Sequence, residues 1–161
     1  MRQTRPTTRP DVARLELDVS YASRDPWAPG ARLFVQWVEA ALAPSRAPVG
    51  LSVRIVGRAR SRSLNRRYRQ KDKCTNVLSF AGAGTLPDGR RALGELVICA
   101  PLVAQEARAQ DTTLRAHWAH LTIHGVLHLL GFDHEKTPDA RKMAQREIQI
   151  LDRLGFSNPY R

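Results

Sequence analysis

All five histidines of this 161-residue chain fall between positions 117 and 134, at His117, His120, His124, His128 and His134. The stretch that carries them is bounded as a helix: Asp111 or Thr112 can cap its start, and Gly131 sits where it must stop after Leu130. On such a helix His124 and His128 are four residues apart, so both imidazoles share one face, about 5–6 Å between Cβ atoms. That spacing can chelate a zinc-like ion, whose nitrogen ligands lie at about 2.0–2.1 Å in a tetrahedral arrangement. A straight helix does not easily supply a third ligand at the required angle. Gly131 resolves this, because it accepts the positive φ that ends a helix, reverses the chain and lets His134 return toward the same point. Incidental histidines in a core helix would not be expected to fall in this register with the glycine.

The pattern His124-x3-His128-x2-Gly131-x2-His134 has the spacing of the metzincin zinc site. Three protein ligands leave a fourth position open for water, which is the catalytic rather than the closed structural arrangement. One Zn²⁺ per chain is therefore expected, although three imidazoles also accept Ni²⁺, Cu²⁺ or Fe²⁺. Gly125 stands where HExxH enzymes carry their general-base Glu, which counts against peptide hydrolysis by that route. Activation of a water by the metal alone stays open, since zinc lowers a bound water's pKa to around 7. Asp133 is placed to orient a histidine ligand from outside. His120 makes a competing chelate with His124 but gains no turn-supplied third ligand. His117 and His120 read as hydrogen-bonding partners near a cleft or as ordinary groove residues.

The remaining periodicities predict one α+β domain: a small mixed sheet packed with about five helices, one of them zincin-like and histidine-bearing. Leu15, Leu17 and Val19 alternate with polar residues, as do Leu51, Val53 and Ile55, so both runs read as strands. Asn76–Phe80 and Gly94–Ala100 add two more, the last strongly apolar and central. Helices are expected over Ala31–Ala43 (stopped by Pro44), Arg58–Arg69, from Pro101 to about Gln110, and from Thr137-Pro138 to Gly155. The last shows Met143, Ala144, Ile148, Leu151 and Leu154 as its inner stripe. Gly82–Arg91 is a loop. Residues 1–10 read as a disordered basic arm and 11–161 as the domain. No window approaches the ~18 apolar residues of a membrane span. Cys74 and Cys99 are too few for a disulfide scaffold and read as buried thiols in a reducing cytosol.

Lys and Arg number 26 against 15 Asp and Glu, a formal charge of +11, which suits a polyanionic partner. The excess concentrates at Arg54, Arg58, Arg60, Arg62, Arg66, Arg67, Arg69, Lys71 and Lys73, with Asp72 the only opposing charge in that stretch. Such a run either faces solvent or contacts phosphates, giving affinity and register with little sequence information. Tyr68, the i+4 partner of Leu64, is expected in the core. A guanidinium beside a metal is also what phosphodiester cleavage requires, because negative charge grows in the transition state.

Several segments together resemble the YbeY family of single-domain, metal-dependent bacterial endoribonucleases. They are Leu64–Phe80 (LNRRYRQKDKCTNVLSF), Gly94–Cys99 (GELVIC), His117–His120 (HWAH) and, most specific, His124–His134 (HGVLHLLGFDH). The resemblance implies a cytoplasmic zinc enzyme acting on RNA, chiefly ribosomal RNA. Its work would be small-subunit 3′-end maturation and ribosome quality control, with the small subunit and assembly factors as partners. It implies zinc ligands at His124, His128 and His134 and a functionally required cleft arginine at Arg69. Glu95, Asp133 and His120 are further cleft candidates, and Arg58, Arg62, Arg66, Arg67, Lys71 and Lys73 are RNA-binding candidates. Two departures stand out: Cys74 and Ala81 replace prolines usual in the turns flanking that family's Ser-Phe strand. The nucleophile is either a metal-activated water or the RNA 2′-hydroxyl. A non-catalytic assembly factor with a structural metal is a rival reading, and a metal-dependent protease or amidase a weaker one.

Overall fold

The computed structural model describes residues 14–43, 45–132 and 137–161, Thr137 by its backbone alone. Within them the two periodicities become four strands and five helices. These are β1 (Leu15–Tyr21), α1 (Ala31–Leu42), β2 (Val49–Val56), α2 (Arg58–Arg69), β3 (Val77–Ala81), β4 (Arg91–Cys99), α3 (Ala100–Ala109), α4 (Leu114–Leu129) and α5 (Thr137–Arg153). One mixed sheet runs β1-β2-β4-β3, with β1, β2 and β4 parallel and β3 antiparallel to β4. The α+β class and its element order match the expectation. The 1–10 arm, the Pro44 stop, Asp133 and His134 lie outside the described residues.

β4 starts at Arg91 rather than Gly94, and a register shift separates its first two pairs with β2 from the rest. Arg91 is exposed and Ala92 half-buried, so the buried Leu93 is the one strong apolar signal in this added segment, too little to mark it as strand.

Strand alternation divides the interior in two. Leu51, Val53 and Ile55 of β2 and Leu96 and Ile98 of β4 join Phe34, Trp37, Trp118, Ile123, Leu127, Met143 and Ile150 in the main core beneath α1, α4 and α5. A smaller cluster of Val56, Leu64, Leu78 and Val97, with Phe80 against it, lies under α2 on the opposite face. Fully burying a side chain of the Leu or Phe class stabilises by about 1.5–3 kcal/mol, so α4 and α5 rest on far more packing than α2.

α4 is fixed at both ends and on its sheet-facing side. Asp111 turns the chain with a positive φ of 51°, so the cap falls one residue beyond the expected pair, at Thr113. Thr113 Oγ1 accepts the Ala116 N–H at 3.1 Å. At the other end Gly131 has φ +100°, the Gly131 N–H reaches the His128 carbonyl at 3.0 Å, and the Phe132 N–H reaches the Leu127 carbonyl at 3.1 Å. Those two bonds form a Schellman motif, which satisfies the last carbonyls and turns the chain sharply out of the helix. In the middle, a Cβ built on Gly125 would lie 2.7 Å from Leu96 Cδ2, so the missing side chain is what lets α4 lie close on β4.

α5 buries Met143, Glu147, Ile150 and Leu151. Ala144 and Ile148, expected on the inner stripe, are half-buried at its flank. The turn between α2 and β3 is strapped to α2: Ser61 Oγ donates to the Thr75 carbonyl and accepts the Thr75 N–H, both at 2.9 Å. Asn65 Nδ2 donates to the Lys73 carbonyl at 2.8 Å. These bonds hold the turn that contains Cys74.

Candidate metal centre and its cleft

A cleft of about 510 Å³ opens along β3, the edge strand where the sheet's two faces meet. Arg69, Ser79, His117, His120, His124, His128 and Tyr160 are among the residues that line it. The helical spacing places the histidines in a row: ring centroids of His117 and His120 are 6.2 Å apart, and those of His120 and His124 are 6.3 Å apart. The structure thus brings Arg69, His120, His124 and His128 to the walls of one cleft.

The row rests on a residue that the sequence analysis did not single out. Glu147 of α5 is only 1% exposed, and its Oε1 lies 2.7 Å from His124 Nδ1. Its Oε2 lies 2.6 Å from His120 Nε2 and accepts the Tyr160 hydroxyl at 2.7 Å. Burial pushes the Glu147 carboxyl up, but the hydrogen bonds from His120, His124 and the Tyr160 hydroxyl outweigh it and hold the group down at about 2. Tyr160 is pushed up, by burial first and then by its hydrogen bond to that carboxylate.

His120, His124 and Glu147 each place a ligand atom within 4.8 Å of the others, a donor set able to hold a metal ion. Their spacing is tighter than shared coordination needs. Two ligands of a tetrahedral ion with bonds near 2.0 Å lie about 3.3 Å apart. The 2.6 and 2.7 Å contacts of Glu147 are hydrogen bonds instead. Imidazole donors with a carboxylate behind them are the donor chemistry of a zinc-type site.

Arg69, the last residue of α2, donates from Nη2 to the Ser79 carbonyl at 2.9 Å, and its guanidinium stands 5.6 Å from the centre of the Phe80 ring. These contacts aim it along β3 into the cleft. His117 pairs with Glu106 at 2.9 Å, and Asn76 Nδ2 donates to the same carboxylate at 3.0 Å, tying α3, α4 and the start of β3 together.

Glu95 is not brought to the cleft. Leu96 faces α4, so its neighbour on the strand must face the other way, where Glu95 pairs with Arg54. Arg58, Arg62, Arg66, Arg67, Lys71 and Lys73 are all exposed on α2 and the turn after it, outside the cleft. Arg58 donates to Gln105 at 2.7 Å, and Arg62 makes a bidentate pair with Asp72 at 2.8 and 3.1 Å. That guanidinium holds the Asp72 carboxyl below the ordinary carboxylate range. Tyr68 is 47% exposed rather than core, its ring set edge-on to Phe80 at 5.3 Å. Cys99 is buried and its thiol is pushed up by that burial, whereas Cys74 is only half-buried and stays outside the cleft.

Glu147 had a sequence signal. It lies four residues from both Met143 and Leu151, so an acid sits on an apolar stripe, and a buried acid needs partners. Tyr160 had none, because it reaches the site only through the fold of the tail after α5.

A family model described as Endoribonuclease YbeY matches residues 27–155. Proteins named Endoribonuclease YbeY from two Stenotrophomonas maltophilia strains, R551-3 and K279a, are each 49% identical over 151 residues, covering 91% of this chain and 94% of theirs. The solution structure of TM1509 from Thermotoga maritima shares the fold at a TM-score of 0.54 and 22% identity, over 87% of this chain and 92% of that one. No helix among the described residues is long and apolar enough to cross a membrane. With the matched region holding the whole histidine row and all of the cleft's lining except Pro159 and Tyr160, the chain belongs to the Endoribonuclease YbeY family.

Proposed function

We propose that the chain is a zinc-dependent endoribonuclease that cuts single-stranded RNA during ribosomal RNA maturation and ribosome quality control. The 3′ end of the small-subunit RNA is its expected target, and the cytoplasm, with the small subunit and its assembly factors, its place of work. The observation that carries the reading is the convergence of Arg69 with His124 and His128 on one cleft, in a chain 49% identical to proteins of that name.

His124 and His128, with His134, would hold the ion. When bound, it supplies Lewis acidity toward a phosphoryl oxygen and makes a water a stronger acid. Arg69 binds and orients the phosphate through its planar N–H fork and faces the negative charge that develops there. Arg66 and Arg67 on α2 contact the phosphates of flanking nucleotides. Gly125 faces β4, so α4 has no room at that position for a general-base carboxylate, and peptide hydrolysis by the HExxH route gains no support.

The test is cleavage of single-stranded ribosomal RNA by metal-stripped protein, by zinc-reloaded protein and by Arg69→Ala. The reading expects cutting only with metal and a large loss in the variant. A 2′,3′-cyclic phosphate product would identify the RNA 2′-hydroxyl as the attacking group. Equal cleavage with and without metal would overturn the metal role. Normal ribosome maturation supported by a folded His134→Ala protein would favour the assembly-factor reading.

A further inference from the structure

We propose that Glu147 and Tyr160 are positioning residues: the Glu147 carboxylate fixes His124 as the Nδ1–H tautomer, and Tyr160 pins that carboxylate from the C-terminal tail. The proposal deepens the reading of the cleft as a metal centre and rests on it.

Glu147 is 1% exposed on the inner stripe of α5, a position an apolar side chain would fill at no electrostatic cost. A carboxylate taken out of water loses its hydration at a large cost unless strong hydrogen bonds replace it. Three groups do so, and they divide unequally between its oxygens. Oε1 faces His124 Nδ1 at 2.7 Å, whereas Oε2 takes both His120 Nε2 at 2.6 Å and the Tyr160 hydroxyl at 2.7 Å. An ionised carboxylate only accepts, so each ring must donate from the nitrogen that faces it. A neutral imidazole has one N–H. His124 therefore carries its proton on Nδ1 and its lone pair on Nε2, while His120 carries its proton on Nε2.

One carboxylate thus sets opposite tautomers on two rings a turn apart. The distinction separates the two chelates that the spacing alone left in competition. His124 presents Nε2 as a donor, and His120 commits its Nε2 to holding the carboxylate. A metal-binding histidine whose other nitrogen is fixed by a carboxylate is better oriented and more basic toward the ion. Tyr160 completes the set from sequence that follows α5: its ring stands edge-on to His120 at 5.5 Å with the hydroxyl directed inward. Tyr160 is in this way part of the site.

The experiment uses full-length protein labelled with ¹⁵N-histidine, as wild type, Glu147→Gln, Tyr160→Phe and Glu106→Gln. The last removes a carboxylate from His117 on the same helix and serves as the matched control. Long-range ¹H–¹⁵N spectra of metal-free protein at pH 8 report which ring nitrogen of each histidine carries hydrogen. Competition with a chromophoric chelator reports zinc affinity. The proposal expects His124 as Nδ1–H in wild type and mixed tautomers with about 10–100-fold weaker zinc binding in Glu147→Gln. Tyr160→Phe should show a smaller loss in the same direction, and Glu106→Gln neither change. His124 found as Nε2–H in the wild type overturns the proposal. So does zinc affinity unchanged in Glu147→Gln and Tyr160→Phe, and if Glu147→Gln does not fold, Tyr160→Phe decides alone. Wild-type protein that takes up no zinc overturns the functional reading itself.

Discussion

α2 and α4 lie on opposite faces of the sheet and reach the same cleft along β3, yet they are built in opposite ways. α4 buries nine of its sixteen residues, and its His117, His120 and His124, half-buried or buried, meet carboxylates also supplied by the fold. α2 buries only Ser61, Leu64 and Asn65 and turns its arginines to water. A site that must hold rings to a fraction of an ångström needs the first kind of helix, because packing and hydrogen bonds leave each ring one orientation. A surface that follows a flexible polyanion needs the second, where charge matters more than its exact placement. Arg69 joins the two regimes, at the end of the exposed helix but tied to β3.

Substitutions sort along that contrast. The largest effect is expected for Gly125→Glu, which forces a carboxylate against Leu96 in the core and should cost at least about 3 kcal/mol. Arg66→Glu on the exposed face of α2 should change stability by no more than about 0.5 kcal/mol. Thermal unfolding of the two checks this, and equal melting temperatures would break the comparison. Arg69→Ala should come next, lowering RNA cleavage about 10–100-fold with little change in melting, because it removes a phosphate interaction of roughly 1.4–2.7 kcal/mol in the transition state.

Smaller effects belong to the outer face of α2. The double variant Arg66→Ala/Arg67→Ala should lower the slope of log K against log salt for single-stranded RNA by about 0.7 for each phosphate no longer neutralised. Binding measured at several salt concentrations would show it, and an unchanged slope would remove these two residues from the interface. The smallest effect is Asp72→Asn. It releases Arg62 from its bidentate partner and should tighten RNA binding slightly while leaving melting at neutral pH nearly unchanged. The Asp72 carboxyl is held low in the folded protein, so the small stabilisation from this pair is present at neutral pH. It should fade as pH falls below the ordinary Asp value of about 3.9.

What could be read in advance follows the range of the interactions. The helix carrying His124 and His128, its stop at Gly131 and the succession of strands and helices depend on neighbours within a turn or two, and the sequence states them directly. Gly125 was legible as a departure from HExxH, but not as the point where α4 meets Leu96, which only the packed sheet defines. Glu147 was legible in principle. Taking Ala144 and Ile148 as the inner stripe moved the buried face of α5 by one residue and left the acid outside it. Glu95 could have been set aside from alternation alone, since Leu96 had to face the core. Tyr68 looked apolar at helical spacing, but α2 covers too small a cluster to bury it.

The most direct test of the account is the metal content of purified protein by elemental analysis, for wild type and for His124→Ala, His128→Ala, His134→Ala and His120→Ala. The account predicts about one divalent ion per wild-type chain, lost or much reduced in the first three variants and retained in His120→Ala. An ion that survives in His128→Ala and His134→Ala but disappears from His120→Ala would contradict it, and would place the metal on His120, His124 and Glu147 instead.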